Sequence, residues 1–452
     1  MANNTPTLPL QRAGDIEFLE VIISTPGGDE ADIKLYVGEL NLFEDMFAPG
    51  MYGNLLMIDA MNLNNTLHLT GDEWLTIKMR TPTMKDEDAL IYKTFKIYSI
   101  TDRVMISDTG KQSYLIHFCS AELFIDSMQP QYKTFTGRID EVVTEIFTNA
   151  LQVDRTTKDT ITPLFIIGPT QNGVKFTSPG WRPVQCINWL ASRALGEGYL
   201  NPGYLFYESN KAFYFANVEA LIDHAIQTKN VYQNYIFSAK KLSSDQQNPD
   251  ERSQDINIDY AKVENMHVVE NINAFKNLQN GYYANKLFSL DLQTKSYNKG
   301  FVYDHVKEYP KYKHLENISG ITDCAPFVNP EYNPASHLSF YPKHQNLYSN
   351  FTNNVADIIE QTMPKRHSLL AELNNFKIEI TAPGRTDVQV GFIVGFAYPD
   401  AAPRDESDKV KTGVDELYTG YYLITAIRHK FTLTNHVMTM ELAKDSLRRR
   451  PK

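Results

Sequence analysis

Apolar and polar residues alternate over short runs in the first quarter of the chain. The segments IKLYVGEL (33–40), NLLMIDA (54–60), WLTIKMR (74–80), TFKIYSITDRVMI (94–106) and QSYLIHFCS (112–120) predict strands. Pro49, Gly50 and Gly53, between the first two, predict a chain reversal. In the last segment Tyr114, Ile116 and Phe118 share one face, and Leu115, His117 and Cys119 share the other. Both faces are mostly apolar, so the sheet is expected to be covered on both sides. Short strands with turn signals about every dozen residues predict an antiparallel barrel or sandwich.

The period changes after residue 120. In TGRIDEVVTEIFTNAL (136–151), Ile139, Val142, Val143, Ile146, Phe147 and Ala150 recur at helical spacing behind Thr136 as a cap. Asp140 and Glu141 complement the dipole of its first turn. PVQCINWLASRAL (183–195) predicts a second helix, opened by Pro183 and stopped by Gly196. YLFYESNKAFYFANV (204–218) alternates as a hairpin turning at Ser209 and Asn210. Residues 238–262 are polar and read as a linker. Residues 263–350 carry too little apolar periodicity for a large core, and are expected to be irregular and to wrap over this chain or a partner.

A helix is predicted from about Asn353 to Asn374, interrupted at Pro364. FKIEITAPGRTDVQVGFIVGFAYP (376–399) predicts two strands around a Pro383–Gly384 turn, and 400–416 is charged and expected to be mobile. GYYLITAIRHKFTL (420–433) and HVMTMELAKDSL (436–447) predict a hairpin turning at Thr434 and Asn435. The two β blocks have similar length and alternation without an exact repeat. The expected fold class is α+β, mainly β. The expected domains are a first β domain (1–120), an α/β domain (121–237), an irregular linker and partner-contact domain (238–370), a second β domain (371–447) and a basic tail (448–452).

Composition narrows the function classes. A chain that is 42% hydrophobic and 22% charged has an ordinary globular composition. Its 26 Tyr and 24 Phe suit strands and flat interfaces. The net charge of −10 repels phosphate backbones, so specific nucleic-acid binding is not expected. Only KDSLRRRPK (444–452) is basic, as a solvated tail or a contact with an acidic partner. Cys119, Cys186 and Cys324 are too few and odd in number for a disulfide framework. MANNTPTLPLQRAG is no signal peptide, and no apolar run approaches the ~20 residues that span a bilayer. A soluble protein made in a cytoplasm, without a membrane partner, is expected.

Candidate chemistry is sparse. No GxxxxGK[ST], GxSxG, HExxH or CxxC occurs. His117 and Cys119 point the same way on one strand, but no third ligand is evident, so core packing is favoured over a metal. Glu44 and Asp45 are neighbours on a strand and face opposite sides, so they do not converge on one sugar. His429 shares a face with Tyr421, Leu423, Thr425, Ile427 and Phe431 and reads as a core or interface histidine. The GYY of 281–283 is either a packing surface or a sugar or peptide contact.

Several stretches together resemble the baseplate hub proteins of contractile-tailed bacteriophages. NLFEDMFAPGMYGNLLMIDAMNL (41–63) resembles that family's opening hairpin, with an acidic FED after one strand and DA, then Asn-Leu, after the next. QSYLIHFCSAELFIDSM followed by YKTFTGRIDEVVTEIF, then WRPVQCINWLASRA and YLFYE, resemble the segments that follow. NGYYANKLFSLDLQTKSYNKGFVYD resembles the Gly-Tyr to Asp-Leu segment, and APGRTDVQVGFIVGFAYP with TGYYLITAIRHKFTLTNHVMTMELAKDSL resemble the closing strands. They occur in the family's order and cover most of residues 16–447.

The resemblance implies an architecture without catalysis, cofactor or metal. Each chain of a homotrimer contributes two similar antiparallel, tube-type β-barrels, so three chains present a ring of quasi-six-fold symmetry. The ring adapts a trimeric spike protein to a hexameric tail tube or its initiator proteins, meets baseplate wedge proteins and lets DNA pass. The virion tail is the implied location. Phe43, Glu44, Asp45, Gly53 and Asp59 fall in the first barrel's motif; Gly384, Arg385, Thr386, Gly391, Gly420, Tyr422, His429, Glu441, Lys444 and Asp445 fall in the second's.

A hairpin at 41–63 that is apolar on both sides then buries one face in its own barrel and the other against an adjoining one. Met51 and Tyr52 are expected at that lateral junction, where acidic substitutions should block assembly and spare the fold. Alternatives are the hub of a related injection machine, a carbohydrate- or receptor-binding tail protein, and a cell-wall hydrolase. The last needs converging carboxylates or a metal.

Overall fold

Alternation of covered and open positions builds the first β unit. In this computed structural model the described residues are 12–82, 84, 89–106, 110–152, 162–227, 231–237, 256–292, 294–298, 301–316, 319–320, 337–343, 355–400 and 414–447. Most of the polar linker, residues 401–413, Cys324 and the basic tail lie outside them. The unit comprises β1 (Glu17–Ser24), β2 (Glu30–Asp32), β3 (Val37–Asp45), β4 (Tyr52–Asp59), a helical turn α1 (Leu63–Thr66), β5 (Trp74–Arg80), β6 (Leu90–Met105) and β7 (Gln112–Ser120). The strands pair in the order β3-β4-β7-β6-β5-β1-β2.

In β4 the side chains of Leu55, Met57 and Asp59 are buried, whereas Tyr52, Leu56 and Ile58 are exposed. The cover expected on both faces is found on one, and Leu115 and His117 of β7 are only partly buried. Gly53 is not in the turn but in β4, paired with Leu42. A β-carbon there would come within 2.3 Å of the Phe118 ring, so only glycine lets that ring lie flat on the strand.

The chain then builds an α/β unit. It contains α2 (Ala121–Met128), β8 (Thr134–Arg138), α3 (Ile139–Ile146) extended by a π turn (Phe147–Leu151), β9 (Leu164–Ile167) and β10 (Gly173–Thr177). It ends with α4 (Pro183–Ala191), β11 (Tyr204–Glu208), β12 (Phe213–Asn217) and α5 (Val218–Gln227). Val142, Val143 and Ile146 of α3 and Ile187 and Leu190 of α4 share a core with Phe206, Phe213 and Phe215. Thr136 is not the cap of α3, because it is held in β8 opposite Lys175. Instead the Arg138 amide donates to the Glu141 carboxylate at 3.1 Å. α4 ends at Ala191, short of Gly196.

The next elements are β13 (Asn234–Phe237), α6 (Ile256–Tyr260), β14 (Lys262–Val263), β15 (Asn265–Glu270), α7 (Ala274–Asn280), β16 (Ala284–Asp291), β17 (Ser296–Asn298), β18 (Val302–Asp304), α8 (His305–Glu308), β19 (Ser319–Gly320), β20 (His337–Lys343) and α9 (Val355–Glu372). Where irregular chain was expected, β16, β17, β18 and β20 form a four-stranded sheet. That sheet packs on α9, with Asn285 donating to the Pro364 carbonyl at 3.2 Å and Ser289 donating to Glu360 at 2.5 Å. α9 is not interrupted at Pro364, since this tertiary packing outweighs the one helical hydrogen bond a proline removes.

β21 (Lys377–Pro383), β22 (Ile393–Ala397), β23 (Gly420–Phe431), β24 (His436–Ala443) and β25 (Ser446–Leu447) complete the fold. The first half of β23 pairs with β22, and its second half, Ala426–Phe431, pairs with Asp45–Leu40 of β3. The two β units therefore share one 14-stranded sheet, and among the described residues no closed barrel forms. The β23–β24 hairpin tip lies between β3 and the start of β1, where Asp15 bridges Asn435 and the His436 amide donates to the Gly14 carbonyl at 2.7 Å. Its Phe431 is fully buried in the core of the first unit, edge-on to Phe18.

Candidate functional site at the seam between the β units

Alternation along β3 turns Glu44 inward, and alternation along β23 turns His429 inward to meet it. Neither side chain touches solvent. His429 Nε2 lies 3.3 Å from Glu44 Oε1, and His429 Nδ1 lies 3.1 Å from His436 Nε2. The Val390 amide donates to the other Glu44 oxygen at 3.2 Å. These contacts are satisfied when His429 Nε2–H donates to Glu44 and His436 Nε2–H donates to His429 Nδ1. His436 Nδ1 is buried without a partner among the described residues. Burial first, and the facing His429 second, hold the His436 pKa well below the ordinary imidazole value. The ring stacks on Phe431 with centroids 4.1 Å apart. On its other side a β-carbon at Gly384 would fall within 2.1 Å of it, which explains glycine at that position.

Further contacts tie the same regions together. The Thr386 amide donates to Thr81 Oγ at 3.1 Å, and Thr386 Oγ donates to the Ala89 carbonyl. Glu208, at the end of β11, is buried beneath the first sheet. One of its oxygens accepts from Lys93 of β6; the other accepts from Ser120 Oγ and, at 2.8 Å, from the Met51 amide. Lys93 also donates to the Ser209 carbonyl at 2.7 Å. Every charged atom in this clamp has a partner, which is what a buried ion pair requires.

The expected motif residues thus separate into groups. Glu44, His429, Gly384 and Thr386 meet at the seam. Asp59 lies inside the first unit, fully buried. Burial raises its pKa, but hydrogen bonds from Gln112 and from the Leu63, Met61 and Asn64 amides outweigh it, for a net lowering. Tyr422 and Gly391 lie inside the second unit, and Arg385 donates two bonds to Asp387, at 3.1 and 2.8 Å. Glu441 accepts from Lys377 at 2.6 Å and from Thr425 at 2.7 Å.

Gly420 and Asp445 face the middle of the chain, whereas Lys444 donates to the Leu417 and Thr419 carbonyls of the second unit, at 3.3 and 2.9 Å. Asp445 accepts from the Leu315 amide at 3.1 Å, and its other oxygen lies 3.0 Å from His314 Nδ1. Burial opposes charge on His314, but the Asp445 carboxylate prevails and raises its pKa to about 9. Phe43 lies on the open face of the sheet under Arg428, and Asp45 ends β3 accepting the Phe47 amide at 2.8 Å.

Sequence reasoning missed His436, Lys93, Glu208 and Thr81, since nothing local marks a polar residue whose partner is distant in sequence. A buried-strand pattern that includes a charged residue, as in β6, was the available signal. The other candidates separate. His117 bonds Thr101 at 3.0 Å, and Cys119, with its thiol pushed up to about 12 by burial, lies at the base of β7. Among the described residues no group of three or more His, Cys, Asp or Glu is placed to hold a metal. Glu44 is buried and Asp45 partly exposed, on opposite faces. Tyr282 and Tyr283 are buried in ring contacts with His305, so they pack rather than present a sugar-binding surface. Met51 is fully buried, so it is not part of an exposed lateral surface; its neighbour Tyr52 is 42% exposed.

No protein-family model and no curated protein sequence matches the chain. Solved structures do. A tail protein from Neisseria meningitidis MC58 matches over 94% of this chain and 96% of its own, at 8% identity and a TM-score of 0.52. The fold is that of a tail protein. A 43 kDa tail protein of prophage MuSo2 from Shewanella oneidensis matches over 94% of this chain and 98% of its own, at 8% identity and a TM-score of 0.46. A chain of a Francisella PdpA–VgrG complex matches over 98% of this chain but 60% of its own length, at 11% identity and a TM-score of 0.43.

Proposed function

We propose that the chain is a structural subunit of a contractile phage tail, the central hub of its baseplate. Three copies form a ring to which each contributes two tube-type β units, so that six units surround a channel. The ring joins a trimeric spike protein to the hexameric tail tube or its initiator proteins, meets the wedge proteins, and lets DNA pass. On this reading residues 1–120 and 371–447 are the tube-type domains, 121–237 the α/β domain and 238–370 the partner-contact domain.

The observation that carries the reading is the edge-to-edge pairing of β3 with β23. A ring of six β units needs six such junctions, and this chain already makes one within itself. The exposed Phe43, Tyr52, Leu56 and Ile58 continue across the hairpin from that seam, as aromatic and aliphatic residues do at subunit contacts. Light scattering on the chain alone and with its spike protein tests the proposal. A trimer in at least one condition is expected; a monomer in both counts against it.

A further inference from the structure

We propose that the tip of the β23–β24 hairpin is an acid-released latch. Proton uptake at His436 drives the tip out from between β3 and residues 14–15, and opens the β3–β23 junction while the remainder of each β unit stays folded.

The geometry leaves a second proton nowhere to go. His436 is fully buried, its Nε2 is committed to His429, and its Nδ1 has no partner among the described residues. A β-carbon at Gly384 would lie 2.1, 2.3 and 2.4 Å from Cγ, Nδ1 and Cδ2, so the main chain there closes over the ring face and leaves the ring no room to turn toward an acceptor. Around the ring, β3 supplies Glu44, which sits on the far side of His429 and already accepts from Val390. The hairpin supplies His429 itself. Arg428 and Lys430 alternate to the opposite face and pair with Glu39 at 3.8 and 2.9 Å. Residues 14–15 offer the Gly14 carbonyl, while the Asp15 carboxylate is occupied by the Arg12 amide at 2.7 Å. Residues 384–390 carry the charges of Arg385 and Asp387, but these are paired with each other, and Arg385 also donates to Gln233. A charge on Nδ1 is therefore buried and uncompensated.

The sign follows. The folded-state pKa of His436 is lowered. Its contribution is present above the unfolded value of about 6.5 and is lost as the pH falls below it, by up to about tenfold in the opening constant per pH unit. Opening is local, because β24 keeps its ladder to β21, and the first half of β23 keeps its ladder to β22.

Hydrogen exchange of the full chain, read by mass spectrometry between pH 8 and pH 5 and corrected for intrinsic rates, tests this without any partner protein. It is therefore independent of the tail reading. Peptides covering 12–18, 38–46 and 427–438 should lose protection together as the pH drops, while 204–217 and 112–120 do not. His436→Phe, or His436→Gln should the first not fold, should abolish the pH dependence. Loss that is uniform across all peptides, no loss at all, or the same loss in a folded His436 variant overturns the latch.

Discussion

Two of the joints that hold the first β unit to the rest of the chain are built on different principles. At the Lys93–Glu208 clamp, a carboxylate receives a lysine, a hydroxyl and a backbone amide, and the lysine also reaches a carbonyl. At the Glu44–His429–His436 relay, three buried groups share too few partners and one nitrogen is left over. The clamp is saturated and has one state. The relay is one proton short of conflict. Burial alone says little about what a polar group does in a fold; its count of satisfied atoms decides whether it fixes a structure or sensitises it.

Substitutions separate the two joints. Glu208→Ala leaves the Lys93 charge buried without its carboxylate, and should cost about 3–5 kcal/mol in urea denaturation; a loss below about 1 kcal/mol would mean the clamp joins nothing. Phe431→Ala should cost about 3–5 kcal/mol as well, because the ring belongs to the first unit's core. Its signature differs: exchange should rise in β1 and β3 more than in β21. Gly384→Ala pushes the His436 ring and should cost about 1–3 kcal/mol while raising the pH at which the tip opens.

The His314–Asp445 contact gives a third joint of opposite sign. The His314 pKa is raised to about 9, so its contribution is complete below about 6.5 and is lost as the pH rises from there through about 9. Exchange in residues 305–316 should therefore increase under alkali, and Asp445→Asn should remove that dependence. The smallest effect is expected from Phe43→Asp with Tyr52→Asp on the open face, within about 0.5 kcal/mol each in monomer stability. If the ring proposal holds, the pair should nevertheless abolish trimer formation in light scattering.

Much of the local structure was legible in the chain. Period-2 alternation gave most strands of both β units, although β1 and β2 were not among them and residues 34–36 of the expected strand 33–40 form a 3-10 turn, and the Ser209–Asn210 turn stands where expected. The failures have physical causes. Gly53 reads as a turn residue because glycine serves both turns and close approaches, and only Phe118, far along the chain, distinguishes them. Residues 284–304 and 337–343 read as irregular in part because buried positions of β16 hold polar residues, Asn285 and Ser289, whose partners on α9 are distant in sequence. Pro364 reads as a break because sequence shows the lost hydrogen bond and hides the packing that outweighs it. At the seam, Glu44 and His429 were visible as odd polar residues on covered faces; that they belong together, with His436 as the third member, depends on a pairing between positions 385 residues apart.

The hairpin that fills the gap beside β3 and β1 comes from the far end of the chain, with Phe431 seated among residues such as Phe18 and Leu42. During synthesis the ribosome delivers the first β unit's strands first and their missing piece several hundred codons later. The emerging N-terminal strands must wait, incompletely cored, for several hundred codons, on the order of half a minute at bacterial translation rates. Such a delay makes the emergence of residues 427–436 the event that completes the first unit's core.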